Sequence, residues 1–422
     1  MKHVVCLFCA FVLFNCVTSA QEPNWNQWRG PNSTNHAFST DIAKSWSAEG
    51  PKFLWKIDSL GIGYSNLSFF GDVMFTMGDV GDQCWAFALD RSTGKQIWRS
   101  STPIGKAGSG HGGGRQSVGP LGTPACDGEN VYVLGQYGDF VAFSMKDGKE
   151  QWRKNIVDNL NGSKMSGWGF SQSPILDSDK ILLPIGGDEG TLGAFDKSGK
   201  LLWRSTAIKD PVGYTSVVLA EIGGVRQYVL LTGQSLVGIS PADGKILWKA
   251  TFPGQTAVCS DPGLCGDRII ASGSYDVGAY FYHITNEGNN FKASAFNEAR
   301  QDLQSHHGGI VAVGDHFYLL TGGRGGPRPG LACVEANTGT IVWTNPSVGK
   351  GSLVYVDGKL ILRSESGDGT IAMVEATPEG YKELGRFNQP DRSDKSSWTY
   401  PVVVDKKLYI RDQNVLLCYD LN

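Results

Sequence analysis

Leu89-Asp90-Arg91-Ser92-Thr93-Gly94-Lys95-Gln96-Ile97-Trp98 carries the pattern from which the rest of the chain can be read. An apolar run from Trp85 to Leu89 leads into Asp90, a polar turn follows, and a short run ends in Trp98. This is strand, tight turn, strand: a β-hairpin whose glycine supplies a positive φ. The arrangement recurs. Lys146-Asp147-Gly148-Lys149 leads to Trp152, and Asp196-Lys197-Ser198-Gly199-Lys200 leads to Trp203. Ala242-Asp243-Gly244-Lys245 leads to Trp248, and Asn337-Thr338-Gly339-Thr340 to Trp343. In all of these Gly stands four residues before Trp, which marks an internal repeat.

Successive Trp steps are 54, 51 and 45 residues, then 95, so one copy between Trp248 and Trp343 has lost its Trp. Its remnant spans Tyr280 to Phe296, with Gly288 in the turn and Phe296 near the Trp position. A weaker copy ends at Phe387. The run Lys52 to Ile57, with Trp55, is a second half-hairpin without a first half, and Val415 to Asp420 at the other end of the chain is the missing half. Counting from Trp55 gives eight units. Short strands and glycine turns at this period suit four-stranded propeller blades. The expected fold is therefore all-β: an eight-bladed β-propeller of four-stranded antiparallel blades, spanning 51–422 and closed by its N- and C-terminal strands. Such closure leaves no exposed sheet edge. A β-helix is the runner-up, but it does not explain half-hairpins at the two ends. Trp55, Trp98, Trp152, Trp203, Trp248 and Trp343 are expected to be buried structural contacts between blades.

Ahead of the repeat, residues 1–20 read as a secretory signal peptide: Lys2 and His3, an apolar stretch from Val4 to Phe14, and Val17-Thr18-Ser19-Ala20 before cleavage. The expected location is periplasmic or secreted. Lipidation at Cys16 is the less favoured alternative, because Asn15 stands where a lipoprotein signal has a small residue. No later segment reads as a transmembrane helix. Residues 21–50 hold Trp25, Trp28 and Trp46, too aromatic for a free linker, and are expected to form an irregular arm on the side or bottom of the propeller. The balance of 38 basic and 41 acidic residues argues against a general nucleic-acid binder. Beyond the signal, Cys84, Cys126, Cys259, Cys265, Cys333 and Cys418 show no disulfide framework and no C-x-x-C metal spacing. Pairing of Cys259 with Cys265 stays open, and no metal site is expected.

The Asp-x-x-Thr-Gly-x-x-x-Trp pattern, Asp90 to Trp98 here, resembles the tryptophan-docking motif of the quinoprotein-type, PQQ-like propellers. The resemblance covers nearly all the mature chain. It implies the fold and leaves three functions open. One is a dehydrogenase holding pyrroloquinoline quinone (PQQ) and calcium. Another is a non-enzymatic outer-membrane assembly scaffold of the BamB kind. The third is a secreted bacterial propeller of unassigned role, whose opening the stretch Trp25-Asn26-Gln27-Trp28-Arg29-Gly30-Pro31-Asn32 resembles. Some of that set carry alcohol or polyvinyl-alcohol dehydrogenase names. The neighbouring-cysteine disulfide of the dehydrogenases has no counterpart here, and no Asn/Asp/Glu calcium set is evident.

Aligning the inner strands places Ser65, Thr123, Ser173, Thr215, Asp261, Gly308, Ser352 and Tyr400 at their starts. These residues either cap the turns or form a polar ring around a channel mouth. Just ahead lie the candidates for small-ligand contact: Tyr64, Trp168, Tyr214, His307 and Trp398, with Asp261 and His307 to orient a polar group. His306 and His307 are expected to diverge as neighbours on an extended strand. Arg115 and Lys350 are the candidate partners for a quinone's carboxylates. Arg324 and Arg328, in the glycine-rich run Gly322 to Gly330, are the candidates for a protein partner or an anion. The Gly108 to Arg115 loop matches G-x-G-x-x-G only formally, without the flanking strand and helix. The favoured reading is an exported binding or scaffold module with no assignable catalysis and no cofactor. The alternative is a quinoprotein-like, PQQ-dependent dehydrogenase.

Overall fold

Each glycine turn folds as the tip of the outer hairpin of a four-stranded antiparallel sheet. Asp90 Oδ1 accepts hydrogen bonds from Thr93 N and Ser92 Oγ, and Gly94 takes φ +72°. The computed structural model describes residues 25–110, 118–288, 290–323 and 329–422. The expected signal peptide with Cys16, and Arg115, Arg324 and Arg328, lie outside these residues. Eight sheets follow one another around an axis. We number them blades 1 to 8, at 68–99, 125–155, 175–204, 218–251, 263–300, 310–345, 351–388 and 402–420. Blade 8 is completed by Lys52–Ile57, antiparallel to Val415–Asp420 with Lys52 opposite Asp420. The first strand of each blade faces the axis. Middle strands such as Asn130–Leu134 and Asp139–Ser144 are buried on both faces because a blade covers each side. The outermost strand Glu150–Asn155 is half-exposed.

The Gly and Trp of one repeat do not serve each other: Trp55, Trp98, Trp152 and Trp203 are each seated on the turn glycine of the next blade. A Cβ on Gly94 would come within 2.7 Å of Trp55, one on Gly148 within 2.8 Å of Trp98, and one on Gly199 within 2.8 Å of Trp152. A Cβ on Gly244 would stand closer still under Trp203, within 2.4 Å. The turn therefore excludes a side chain both by its positive φ and by its neighbour. A bulge in the hairpin sets each Trp opposite a small residue, Trp152 facing Ala142 and Trp203 facing Ala194. Indole N–H groups of Trp98 and Trp152 donate to the next turn at Met145 O (2.9 Å) and Lys197 O (2.8 Å).

Burial is less complete than expected. Trp98 and Trp248 are buried, but Trp55, Trp152, Trp203 and Trp343 are half-buried, because the outer hairpins lie at the rim. Two degenerate copies use substitutes. In blade 5 Phe296 lies opposite Phe281, and Asn297 docks instead, donating to Thr338 O beside Gly339. In blade 7 the position opposite the bulge is Gly385, not Phe387. Trp46 of the arm covers Gly385, while Phe387 is seated on Gly50.

The first part of the arm, to Ala37, lies in the axial channel, while its later part packs on blades 7 and 8, with Ala43 N donating to Leu421 O and Trp46 N to Leu384 O of blade 7's outermost strand. Asn26 Nδ2 donates to Cys126 O of blade 2 (3.1 Å), and Gln27 Oε1 accepts from Leu176 N of blade 3 (2.6 Å). Arg29 Nη2 reaches Ile310 O of blade 6 (2.6 Å), and His36–Ala37 pairs in parallel with the inner strand Gly351–Val356 of blade 7. The arm thus supplies partners to inner-strand groups that would otherwise face an open channel.

Two buried arginines close the seam where the chain ends meet. Arg411 donates to Ser65 O (2.8 Å), Met77 O (2.6 Å) and Gln413 O (3.0 Å), joining blade 8 to blade 1. Arg363 donates to Thr399 O (2.9 Å) and Arg411 O (2.6 Å), joining blade 7 to blade 8. Burial lowers their pKa, Arg363 to about 10 and Arg411 to about 9.

Candidate functional site

At the end of the axis where the inner strands begin, the arm and segments of seven blades converge around a cavity of about 320 Å³. Its floor is Trp28, held from below by the arm and packed on Tyr400 at 4.7 Å. The channel is therefore a cup rather than a pore. One wall is a continuous band of rings. Tyr64 lies 4.6 Å from Trp398, Trp398 stacks on His307 at 4.4 Å, His307 lies 3.8 Å from His306, and His306 meets Tyr275 edge-on at 5.4 Å. Trp168 and Tyr214 make a second, T-shaped pair at 6.0 Å. Five of the six candidate residues, Tyr64, Trp168, Tyr214, His307 and Trp398, thus line one cavity.

Asp261 does not. It is buried beneath the floor, where Oδ2 accepts from Trp28 Nε1 at 2.6 Å and Oδ1 from Ser216 N at 2.7 Å, with Arg29 at 3.6 Å. Both oxygens hold the floor in place, so neither orients a ligand. Burial pushes its carboxyl pKa up, against the pull of Arg29. The hydroxyl positions work in the same way. Thr123 N donates to Ser173 Oγ (2.9 Å), Ser173 N to Ser216 Oγ (2.9 Å), and Ser216 N to Asp261, a belt stitching blade to blade. The belt runs from blade 2 to blade 5, and Ser216, not the aligned Thr215, supplies one of its hydroxyls. Tyr400, also in that series, contributes to the cup wall.

The histidines converge rather than diverge, because His306 and His307 sit in a bend after the 3-10 turn Gln301–Leu303, not on an extended strand. Burial, then Lys350, lowers the pKa of His306 to about 3, and burial holds His307 well below its ordinary value. Both rings are neutral at pH 7. Burial also raises the phenols of Tyr64 and Tyr214 to about 12, which keeps them neutral. Lys350 Nζ donates to His306 Nδ1 at 2.8 Å and pairs with Glu365 Oε1 at 3.0 Å, so it is already committed. Cys259 and Cys265 are not bridged. Cys265 ends the inner strand Gly263–Cys265, while Cys259 stands four residues ahead of that strand. Cys259 lines the cup instead.

Residues 85–298 match the family model described as outer membrane protein assembly factor BamB, a PQQ-like repeat family. The chain belongs to this family. Solved structures of similar fold bracket the PQQ-like propeller. The quinohemoprotein alcohol dehydrogenase of Comamonas testosteroni superposes with a TM-score of 0.63 at 12% identity, over 96% of this chain and 81% of that one. A europium-containing methanol dehydrogenase gives 0.57 at 12% identity, over 92% and 89%. The computationally designed protein Ika8 gives 0.60 at 11% identity, over 87% and 99%. At such identities the likeness is one of fold. No curated protein sequence matches significantly. Among the described residues of this PQQ-like propeller, no helix is long and apolar enough to cross a membrane.

Several members of the cup were missed from the sequence: Trp28, Cys259 and Tyr275, with Leu121, Ser171, Ser216 and Ala257. Trp28 was visible as an aromatic of the arm, but nothing local says that the arm enters the channel. Cys259 carries no motif, and only its place before an inner strand could have flagged it.

Proposed function

We propose that this PQQ-like propeller is an exported binding module whose axial cup receives a ring-bearing small molecule with polar edges. One observation carries the reading: the arm closes the channel with Trp28, leaving an aromatic recess of ligand size, closed at its floor, lined by seven of the blades. The rings offer stacking surface. Ser171, Ser173 and Ser216 add polar atoms at the same wall. The apolar stretch Val4 to Phe14 near the N-terminus supports placing the module outside the cytoplasm. No catalytic role is assigned to any residue.

The dehydrogenase alternative would require PQQ and calcium, and the described residues fit them poorly. A calcium ion needs several oxygen ligands, commonly carboxylates. The described cup lining contains no carboxylate, and the nearby Asp261 is consumed by Trp28, Ser216 and Arg29. Lys350, which donates to His306 of the wall, is paired with Glu365. No reaction step is derived through the quinone.

The test is tryptophan fluorescence of the purified chain during titration with cellobiose, as a saccharide probe, and with 1,4-naphthoquinone, as a planar one. The expected result is a saturable change with at least one probe that Trp398→Ala abolishes. PQQ with calcium chloride is incubated in parallel. Quinone absorbance that survives desalting would overturn the non-catalytic reading.

A further inference from the structure

The cup holds a group of side chains that aromatic recognition does not use. Cys259 leads into the inner strand of blade 5, and His306 and His307 lead into that of blade 6. The cysteine sulfur and one nitrogen from each ring all lie within 4.8 Å of one another, on the partly exposed wall of the cavity. Among the described residues this is the group with metal-ligand geometry. The other cysteines do not compete. Cys84, Cys126, Cys333 and Cys418 are buried within their blades, and Cys265 donates to Gly314 O at 3.2 Å.

We propose that Cys259, His306 and His307 form a three-ligand site for a thiophilic transition-metal ion, zinc(II) or copper(I), with its open coordination position facing the cup. One thiolate and two imidazoles suit a soft or borderline ion and are the wrong donors for calcium or magnesium. With metal–nitrogen bonds of about 2.0–2.1 Å and a metal–sulfur bond of about 2.3 Å, the donors would stand roughly 3.3–3.8 Å apart. Closing onto an ion therefore needs about an ångström of side-chain movement, which the open side of the cup permits. Binding replaces the S–H bond with an S–metal bond and releases the thiol proton to solvent. Three protein ligands leave the fourth position to a donor atom from the cavity.

Lys350 completes the picture. Its ammonium donates to a ring nitrogen of His306 while Glu365 holds it from the other side. It thus stands as a cation against one of the proposed ligands. Metal entry would compete with this contact and leave Lys350 with Glu365 alone.

The inference goes beyond the organic ligand and is tested without one. The apo chain, prepared with chelator and reductant, is titrated with cobalt(II). One equivalent should produce a thiolate-to-cobalt charge-transfer band in the near ultraviolet, and stoichiometric zinc(II) should erase it. Cys259→Ser should lose the band while keeping the parent melting curve. His307→Gln should weaken binding at least about tenfold, and Lys350→Met should strengthen it by about tenfold or more through loss of like-charge repulsion. Competition between zinc(II) and copper(I) under reducing conditions then ranks the two ions. No band with the parent chain, a band that persists in Cys259→Ser, or unchanged affinity in both His307→Gln and Lys350→Met would overturn the site. Failure of the metal titration leaves the fluorescence test of the cup standing, and the reverse also holds.

Discussion

The rim and the axis of this propeller are built on opposite plans. At the rim one contact is repeated: an aromatic seated on the turn glycine of the next blade, as Trp98 sits on Gly148 and Trp152 on Gly199. At the axis no one contact is repeated around the ring. Tyr64, Trp168, Tyr214, Cys259, His306 and Trp398 each stand at the start of a different inner strand or in the loop before it. Repetition spreads stability over many equivalent interfaces, so any one can degenerate, as in blades 5 and 7, where Asn297 and Trp46 substitute. The axis can vary freely because the belt of backbone-to-hydroxyl bonds and the buried arm carry the structural load beneath it.

The comparison can be broken most severely at the seam. Deleting 414–422 removes the partner of Lys52–Ile57 and strips Trp55 of its neighbour. The expected outcome is loss of the cooperative thermal transition and self-association through the freed edge, read by calorimetry and light scattering. A truncated chain that stays monomeric with the parent melting midpoint would sink two-ended closure.

Next in size is Arg411→Met. Three carbonyls, Ser65 O, Met77 O and Gln413 O, lose their buried donor. At about 1–3 kcal/mol for each unsatisfied group, the loss should be about 3 kcal/mol or more, measured by denaturant unfolding. A stability within experimental error of the parent would show that the seam does not depend on this cation.

Truncation at the rim should grade with burial. Trp98→Ala, at a buried docking site, should cost about 3–5 kcal/mol. Trp203→Ala, at a half-buried one, should cost roughly half as much. Equal costs would mean that seating on the glycine matters and residual exposure does not. Trp203→Ala melting like the parent would remove that residue from the interface altogether.

The smallest effect on stability should come from the cup. Trp398 is half-buried with one side on the cavity, so Trp398→Ala should shift unfolding by no more than about 1 kcal/mol while abolishing the probe-induced fluorescence change. A large destabilisation would make the aromatic band part of the fold rather than a surface kept for a ligand.

Sequence alone determined the rim. Gly and Trp four residues apart define a hairpin by local rules, since positive φ and strand alternation act within ten residues, and counting hairpins from Trp55 yields eight blades and their closure. It also marked five residues of the cup wall, because they precede strands whose positions the repeat sets. Tertiary structure alone decided the rest. Whether Asp261 faces a ligand or supports a floor depends on Trp28 and Arg29, over two hundred residues away in the chain. The arm's path into the channel, the meeting of Cys259 with His306 and His307, and the reach of Arg411 across the seam are also long-range. Local propensity is silent there because each such contact is made between segments that only the closed ring brings together.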